Sequence, residues 1–349
     1  MNVDVPSPVL RTSYKDEVTE KVKRRKEKEP KVIPITINTL EGLLSYFLSN
    51  PDEKSVKTSK IVILGIDSID LALKFQDFEN FPNELKDLEL IFTRSSFKDP
   101  HDMNIILKAI LEKKPELETF KLTIHDINAT LKMINFAVLR NLKKLKVLKL
   151  NLGMNSLEPE TQDKILDSCD GHPELTSLAL ALNECDLKDD FLLKMNAKLF
   201  EEFRIQSKLK RFKLNLAKNC FDFGMDFNLP LVRKLFVSFE NLEILKVNMG
   251  YNESVNQALN GMGQILAGTL IKMLTLRIFK LNLYYCNLKH ENVEILCEGL
   301  AKLNEKLEIE VDLRQPIEYE IEIRTIKAIE GMISLYRAVT NPRKFHVFY

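Results

Sequence analysis

The sequence predicts an α/β solenoid, in which strands and helices alternate along the chain and the strands form one parallel sheet. The first observation is a frame of 13 residues, LKVLKLNLGMNSL at 145–157, which returns in imperfect copies beginning at Leu175, Leu209, Leu242 and Leu276. The second is the spacing, because successive copies start 30 to 34 residues apart. The third is the helical spacing of apolar residues between the copies. A fixed frame at this period is typical of repeat architectures.

Each repeat combines a strand with a helix. Leu148, Leu150 and Leu152 alternate with other residues, which places their side chains on one face of a strand. A later segment has the spacing of an amphipathic helix through its apolar residues Phe191, Leu192, Met195, Leu199 and Phe203. One such unit is too small to bury its apolar face. We therefore expect stacked units to share a continuous core, with the sheet on one side and the helices behind it.

The pattern is less regular before the five clear copies. Residues 1–31 contain three prolines and a basic run from Lys21 to Lys31 with few apolar side chains, so we expect a disordered or loosely attached basic arm. The solenoid domain is predicted to span 32–349. Its N-terminal cap lies at about 32–58, because an end repeat has only one neighbour to shield its core. Three weaker copies follow, at 62–71, 85–97 and 117–127.

The pattern also decays after the copy that begins at Leu276. A strand is predicted at 309–313, a long helical stretch at about 320–339 and a short last strand at 345–349. We assign about 305–349 to a C-terminal cap. This end is acidic, with carboxylates at Glu308, Glu310, Asp312, Glu318, Glu320 and Glu322.

One position just after each strand holds a short polar residue or a cysteine. The five clear copies have Asn155, Cys185, Asn219, Asn252 and Cys286 there. A turn at this point buries backbone groups that need hydrogen-bond partners, and a short polar side chain can supply them to the neighbouring repeat. The pattern predicts a structural ladder that runs through the stack.

Asn or Cys before a further apolar residue resembles the leucine-rich repeat, in the long helical subtype typified by ribonuclease inhibitor. The resemblance covers about 60–315. It implies a horseshoe with a parallel β-sheet on the concave face and α-helices on the convex face, and a concave face that binds another protein. The repeats here depart from the family by their length of about 28 to 34 residues, against roughly 20 to 29 in most leucine-rich repeats. Glu158-Pro159-Glu160 also replaces the glycine that often starts the family's helix.

Composition and charge narrow the classes of protein. Lys+Arg 51 and Asp+Glu 50 leave a net charge of +1, which argues against a general polyanion binder. The five cysteines are odd in number and form no CxxC pair, which favours a reduced chain. No apolar run reaches the roughly 18 residues of a membrane span, and no signal peptide is recognisable. We expect an intracellular protein, cytoplasmic or, if KRRK at 23–26 directs import, nuclear.

The residues between the strand leucines point away from the core, onto the predicted concave face. The first outward position reads Lys121, Lys149, Ala179, Lys213, Lys246 and Lys280. The second reads Thr123, Asn151, Ala181, Asn215, Asn248 and Asn282. The third reads His125, Gly153, Asn183, Ala217, Gly250 and Tyr284. Lysines on adjacent strands, about 4.8 Å apart, repel by roughly 0.9 kcal/mol in a water-like dielectric. Such a column is compatible with a surface kept for an acidic partner, or with a face that is merely kept soluble.

Three hypotheses about function follow. The first is a non-catalytic scaffold that binds an acidic surface of another protein, in which the lysines pair with carboxylates, the asparagines hydrogen-bond and Tyr284 is an anchor. The second is a nucleic-acid-associated protein that uses the arm at 21–31 and the lysine column. The third is a structural subunit of a large assembly. No catalytic motif is present and the five histidines are scattered, so we expect no enzyme, cofactor or metal.

Overall fold

In the part of the chain that the computed structural model describes, ten parallel strands form one sheet whose order in space is their order in the chain. The structure describes residues 58–63, 85–92, 100–125, 134–202, 208–221, 241–252, 273–286, 307–314 and 345–348, with a few single positions between them. The strands are β1 (Thr58–Ile63), β2 (Asp87–Phe92), β3 (Thr119–Ile124), β4 (Val147–Asn151), β5 (Ser177–Ala181), β6 (Arg211–Asn215), β7 (Ile244–Asn248), β8 (Ile278–Asn282), β9 (Glu308–Asp312) and β10 (Phe345–Phe348).

This topology confirms the predicted solenoid-like α/β arrangement, with one strand from each repeat. The clear copies contain β4 to β8, and the weaker copies at 85–97 and 117–127 contain β2 and β3. The first weak copy was placed too late, because β1 already begins at Thr58 and ends at Ile63. Its bounds follow from pairing with β2, where Thr58 lies opposite Asp87 and Ile63 opposite Phe92. The predicted basic arm and almost all of the predicted N-terminal cap lie outside the described residues.

The connections that the structure describes contain helical segments. They are α1 (Pro100–Lys113), a 3-10 helix (Phe136–Asn141), α2 (Pro159–Ser168) and α3 (Asp189–Met195), which continues as a π-helix (Asn196–Glu202). Pro159 starts α2 because a proline at the first helical position lacks an N–H that would be unpaired there anyway. The predicted helical stretch at about 320–339 lies almost wholly outside the described residues.

The core lies between the sheet and these helices. Along β2 to β9, every second side chain is buried and the others are partly or fully exposed. Strand pairing joins the buried residues into straight rows across the sheet, one of which contains Leu90, Leu122, Leu150, Leu180, Leu214, Val247, Leu281 and Val311. Each such side chain contributes about 1.5–3 kcal/mol by leaving water. The leucine alternation thereby decides which face of the sheet is left open.

Asn219 connects three successive repeats in the turn after β6. Its amide Nδ2 donates to the carbonyls of Leu182 (2.8 Å) and Leu216 (2.9 Å). Its Oδ1 accepts from the backbone N–H of Cys185 (3.0 Å) and of Leu187 (3.1 Å). The backbone N–H of Asn219 donates in turn to Oδ1 of Asn252 at 2.8 Å. One side chain thus satisfies buried groups on its own turn and on the turn before it.

The other ladder positions use the same donor geometry. Asn155 donates to the carbonyl of Ile124 at 2.9 Å, and Asn252 to that of Leu216 at 3.0 Å. Cys185 and Cys286 each place Sγ 3.2 Å from a carbonyl of the preceding repeat, Leu152 and Met249 respectively. Burial raises the pKa of both thiols to about 12, so they remain protonated and able to donate at neutral pH.

The residue before each ladder position has a left-handed backbone although it is not glycine. These residues are Met154, Glu184, Lys218, Tyr251 and Tyr285, with φ between 55° and 63°. A residue other than glycine in this conformation costs roughly 1–2 kcal/mol. The sharp turn that they make brings the next side chain inward, where its hydrogen bonds offset the strain.

We predict that Asn219→Ala lowers the free energy of unfolding by about 3–5 kcal/mol, because the buried N–H groups of Cys185 and Leu187 and the carbonyl of Leu182 lose their partner at once. Asn151→Ala is the matched control, since this partly exposed asparagine makes only long contacts, with the N–H of Gly153 (3.5 Å) and with Nε2 of His125 (3.4 Å). We expect the control to cost less than about 1 kcal/mol. Urea unfolding followed by circular dichroism measures both, and equal losses would contradict the ladder role.

A second network lies where the strands begin. Glu118, just before β3, accepts from Lys86 and from Lys146 at 2.7 Å each. Hydrogen bonds from Lys146 and then from Lys86 lower the pKa of the Glu118 carboxyl from 4.5 to about 2. Because the folded state lowers this pKa, its stabilisation is complete above pH 4.5 and is lost as the pH falls to about 2.

We therefore predict that Glu118→Gln is less stable than the wild type at pH 7. Since these charges are largely solvated, the difference is at most about 1 kcal/mol. It should shrink between pH 4.5 and pH 2, where the wild-type carboxyl becomes neutral as well. Urea midpoints of the two proteins across this pH range measure the difference, and a constant gap would show that the charge of Glu118 does not contribute.

Candidate functional site

Strand register places the outward-facing lysines in one straight line. This lysine row consists of Glu89, Lys121, Lys149, Ala179, Lys213, Lys246, Lys280 and Glu310, one residue from each of β2 to β9. Beside it, the asparagine row consists of Thr123, Asn151, Ala181, Asn215, Asn248, Asn282 and Asp312. The two rows line an open groove of about 600 Å³. We call the sheet surface that carries both rows the open face.

Carboxylates close both ends of the lysine row. Lys121 pairs with Glu89 across 3.4 Å. At the other end Lys280 forms an ion pair with Glu310, and Oε1 of Glu308 lies 4.0 Å from its Nζ. Glu89 was not among the predicted site residues. It occupies the outward position before Leu90, so the same alternation, extended to β2, would have placed it in the lysine row. These two lysines therefore already have acidic partners within the chain.

The middle of the row differs from its ends. Lys149, Lys213 and Lys246 form no ion pair within the part of the chain that the structure describes. Burial, and then the charges of Lys246, Lys149 and Arg211, lower the pKa of Lys213 below its ordinary value. The neighbours of Lys213 thus oppose its charge, and the centre of the open face holds positive charge without local compensation.

The asparagine row is partly structural. In each case Oδ1 accepts from the backbone N–H two residues later, at 2.8 Å for Asn282, 3.0 Å for Asn248, 3.2 Å for Asn215 and 3.5 Å for Asn151. Such Asx turns end the strands and lead into the ladder turns. The amide oxygens are therefore engaged in these turns. The N–H₂ group of Asn215 donates to Oδ1 of Asn183 at 3.1 Å, and that of Asn151 lies 3.4 Å from Nε2 of His125.

Strand β5 leaves a notch in the open face. Both of its outward residues within the two rows are alanines, Ala179 and Ala181, and both line the groove. Ala179 pairs with Lys149 on one side and with Lys213 on the other. The notch is therefore flanked by Lys149 and Lys213, whose methylene stems can form apolar walls.

Tyr284 lies in an aromatic cluster that the sequence did not predict. Its ring centroid is 5.1 Å from that of Tyr251 and 6.1 Å from that of Tyr285. The Arg314 guanidinium lies 5.2 Å from the centre of the Tyr284 ring, held by two hydrogen bonds to Asp312 at 2.9 and 2.6 Å. Tyr251 and Tyr285 occupy the left-handed turn positions. Tyr284 is thus fixed at the edge of the open face by its neighbours.

Across the described ranges, no three His, Cys, Asp or Glu side chains are grouped so that they could hold a metal ion. No helix in those ranges is both long and apolar enough to cross a membrane. No protein-family model matches the chain, and no curated protein matches it.

We predict that Lys213→Gln does not destabilise the protein at pH 7, because it removes a charge that its neighbours oppose. The free energy of unfolding should stay unchanged or rise by up to about 0.5 kcal/mol, and the gain should vanish in high salt. Lys280→Gln is the matched control, since it removes an ion pair with Glu310 and should bring no gain. Thermal unfolding at low and high salt tests both. A less stable Lys213→Gln would mean that this lysine has a structural role.

Proposed function

We propose that the chain is a leucine-rich repeat protein of the ribonuclease-inhibitor-like type, curved as a horseshoe, and that it is an intracellular, non-catalytic scaffold. Its open face, on the inner side of the curve, binds a partner protein through an acidic surface. Two features support the repeat class: the one-strand-per-repeat parallel sheet in chain order, and the Asn/Cys hydrogen bonds that join successive turns. Both are what such a repeat requires.

The observation that carries the binding proposal is the contrast within the lysine row. Its outer members, Lys121 and Lys280, have carboxylates at hand, whereas Lys149, Lys213 and Lys246 have none in the described structure. If the open face served solubility alone, charges of both signs could alternate along the whole lysine row, as they do at its two ends. Three aligned cations that repel one another are better explained by carboxylates from outside the chain, which would steer encounter and fix the register of binding.

The distribution of charge also favours a protein over a nucleic acid. A nucleic-acid strand carries phosphates at regular intervals and gains affinity from each cation along its path. Here the basic segment spans only four strands, β4 to β7, and Glu89, Glu310 and Asp312 stand beyond it. These carboxylates would repel a long polyanion. A compact acidic patch matches the short basic segment.

We predict that the triple variant Lys149→Glu, Lys213→Glu and Lys246→Glu loses the partner while thermal unfolding remains nearly unchanged, because these side chains make no ion pair in the described structure. The control carries the same charge change on the helical side, at Lys108, Lys164 and Lys188, in or next to α1, α2 and α3. Affinity capture from nuclease-treated native lysate compares wild type, variant and control.

A protein that is captured by the wild type and the control but is lost from the triple variant would identify the partner and the working surface. Capture of the same set by all three proteins would contradict the proposal. A capture that disappears only on nuclease treatment would favour the nucleic-acid alternative.

A further inference from the structure

We propose that the partner lies in the groove as an acidic α-helix that crosses the strands. Its carboxylates stand at positions i, i+7 and i+10 or i+11, with an apolar residue at i+3 or i+4. This inference rests on the proposed function and specifies the segment that the open face would take. The observation behind it is the order lysine, alanine, lysine, lysine along one straight row, at Lys149, Ala179, Lys213 and Lys246.

The spacing of the row matches a helix at every position. Adjacent strands are about 4.8 Å apart, so the four positions stand at roughly 0, 4.8, 9.6 and 14.4 Å. A helix rises about 1.5 Å per residue, which puts i+3, i+7 and i+10 at roughly 4.5, 10.5 and 15 Å. These positions lie on one face of the helix because they are close to whole turns. One helical stripe therefore meets Lys149, the notch, Lys213 and Lys246 in turn.

An extended segment fits less well. Its side chains on one face recur about every 6.8 Å, so they fall at roughly 0, 6.8 and 13.6 Å. Three positions would then have to serve four strands, and the middle one would fall between Ala179 and Lys213. The spacing of the residues along the lysine row therefore favours a helical partner segment over an extended one.

The notch gives the helix an apolar contact between its charges. Ala179 is the only position among the four without a long side chain, and Ala181 widens the space beside it. A leucine-sized side chain at i+3 or i+4 enters there, against the stems of Lys149 and Lys213. The ion pairs then lie on both sides of a contact from which water is excluded, where they are screened less by salt.

The ends of the row limit the acidic stripe. Beyond Lys149 stands the pair of Lys121 with Glu89, and beyond Lys246 the pair of Lys280 with Glu310. An acidic stripe longer than three turns would meet Glu89 or Glu310 and be repelled. The row therefore selects a helix with about three acidic turns over one that is acidic throughout.

The test uses the full chain and fluorescent synthetic peptides of about 18 residues, long enough to form helix in water. One peptide carries Glu at i, i+7 and i+10 and Leu at i+4 in an Ala/Gln background. The second is a scramble of the same composition, the third has a central proline that breaks the helix, and the fourth replaces Leu by Ala. Fluorescence anisotropy at low salt gives each affinity. A single-stranded DNA oligonucleotide serves as the polyanion comparison.

We expect the first peptide to bind at least tenfold more tightly than the scrambled and proline peptides, and the triple Lys→Glu variant to lose that binding. Ala179→Leu should fill the notch, weakening the leucine peptide about tenfold and leaving the alanine peptide unchanged. Thermal unfolding checks that both variants fold.

Two outcomes would overturn the inference while leaving the proposed function in place. In the first, the first three peptides bind with equal affinity and the triple variant abolishes this binding. In the second, Ala179→Leu does not change the affinity of the leucine peptide. Both proposals would be overturned if every acidic peptide bound to the triple variant as tightly as to the wild type. DNA binding tighter than that of any peptide would also overturn both.

Discussion

The structure depends on how the chain satisfies its backbone in the buried turn after each strand. A buried N–H or carbonyl without a partner costs about 1–3 kcal/mol, and every repeat buries several. Asn219 meets four such groups on two turns through both ends of its amide. Where the ladder holds Cys185 or Cys286, the buried thiol keeps the donor. This requirement explains why strained, left-handed residues precede all five positions.

Strand register follows from this constraint and determines the open face. Because each ladder side chain bonds to the preceding turn, neighbouring strands are held without slippage, and equivalent residues line up across the sheet. A slip by one residue would expose the leucines. The lysine row is thus a consequence of the same pairing that builds the core, which lets outward residues vary without disturbing the fold. Ala179 and Ala181 can therefore replace longer side chains on β5 and leave a notch without disturbing the core.

On the open face, some polar groups have a structural role and others remain for binding. The amide oxygens of Asn248 and Asn282 accept the backbone N–H groups of the turns that end their strands, so these oxygens have a structural role. The charges of Lys121 and Lys280 are compensated within the chain. Lys149, Lys213 and Lys246 form no ion pair in the described structure, and the neighbours of Lys213 oppose its charge. A charge that costs stability at the centre of a groove suits recognition better than folding.

The sequence by itself determined the repeat period, the parallel α/β architecture, strands β2 to β10 and the outward residues of each repeat, because alternation and spacing are local. The hydrogen bonds at the five ladder positions are likewise those that short polar side chains in a buried turn require. Only the tertiary structure decided the start of β1, the ion pairs of Glu89 with Lys121 and of Glu310 with Lys280, the Asx turns of the asparagine row and the aromatic cluster around Tyr284. The strand pairing, the ion pairs and the contact of Tyr251 with Tyr284 join residues about 30 positions apart, so their geometry depends on strand register. The Asx turns join residues two positions apart and depend on the conformation of the turn that follows each strand.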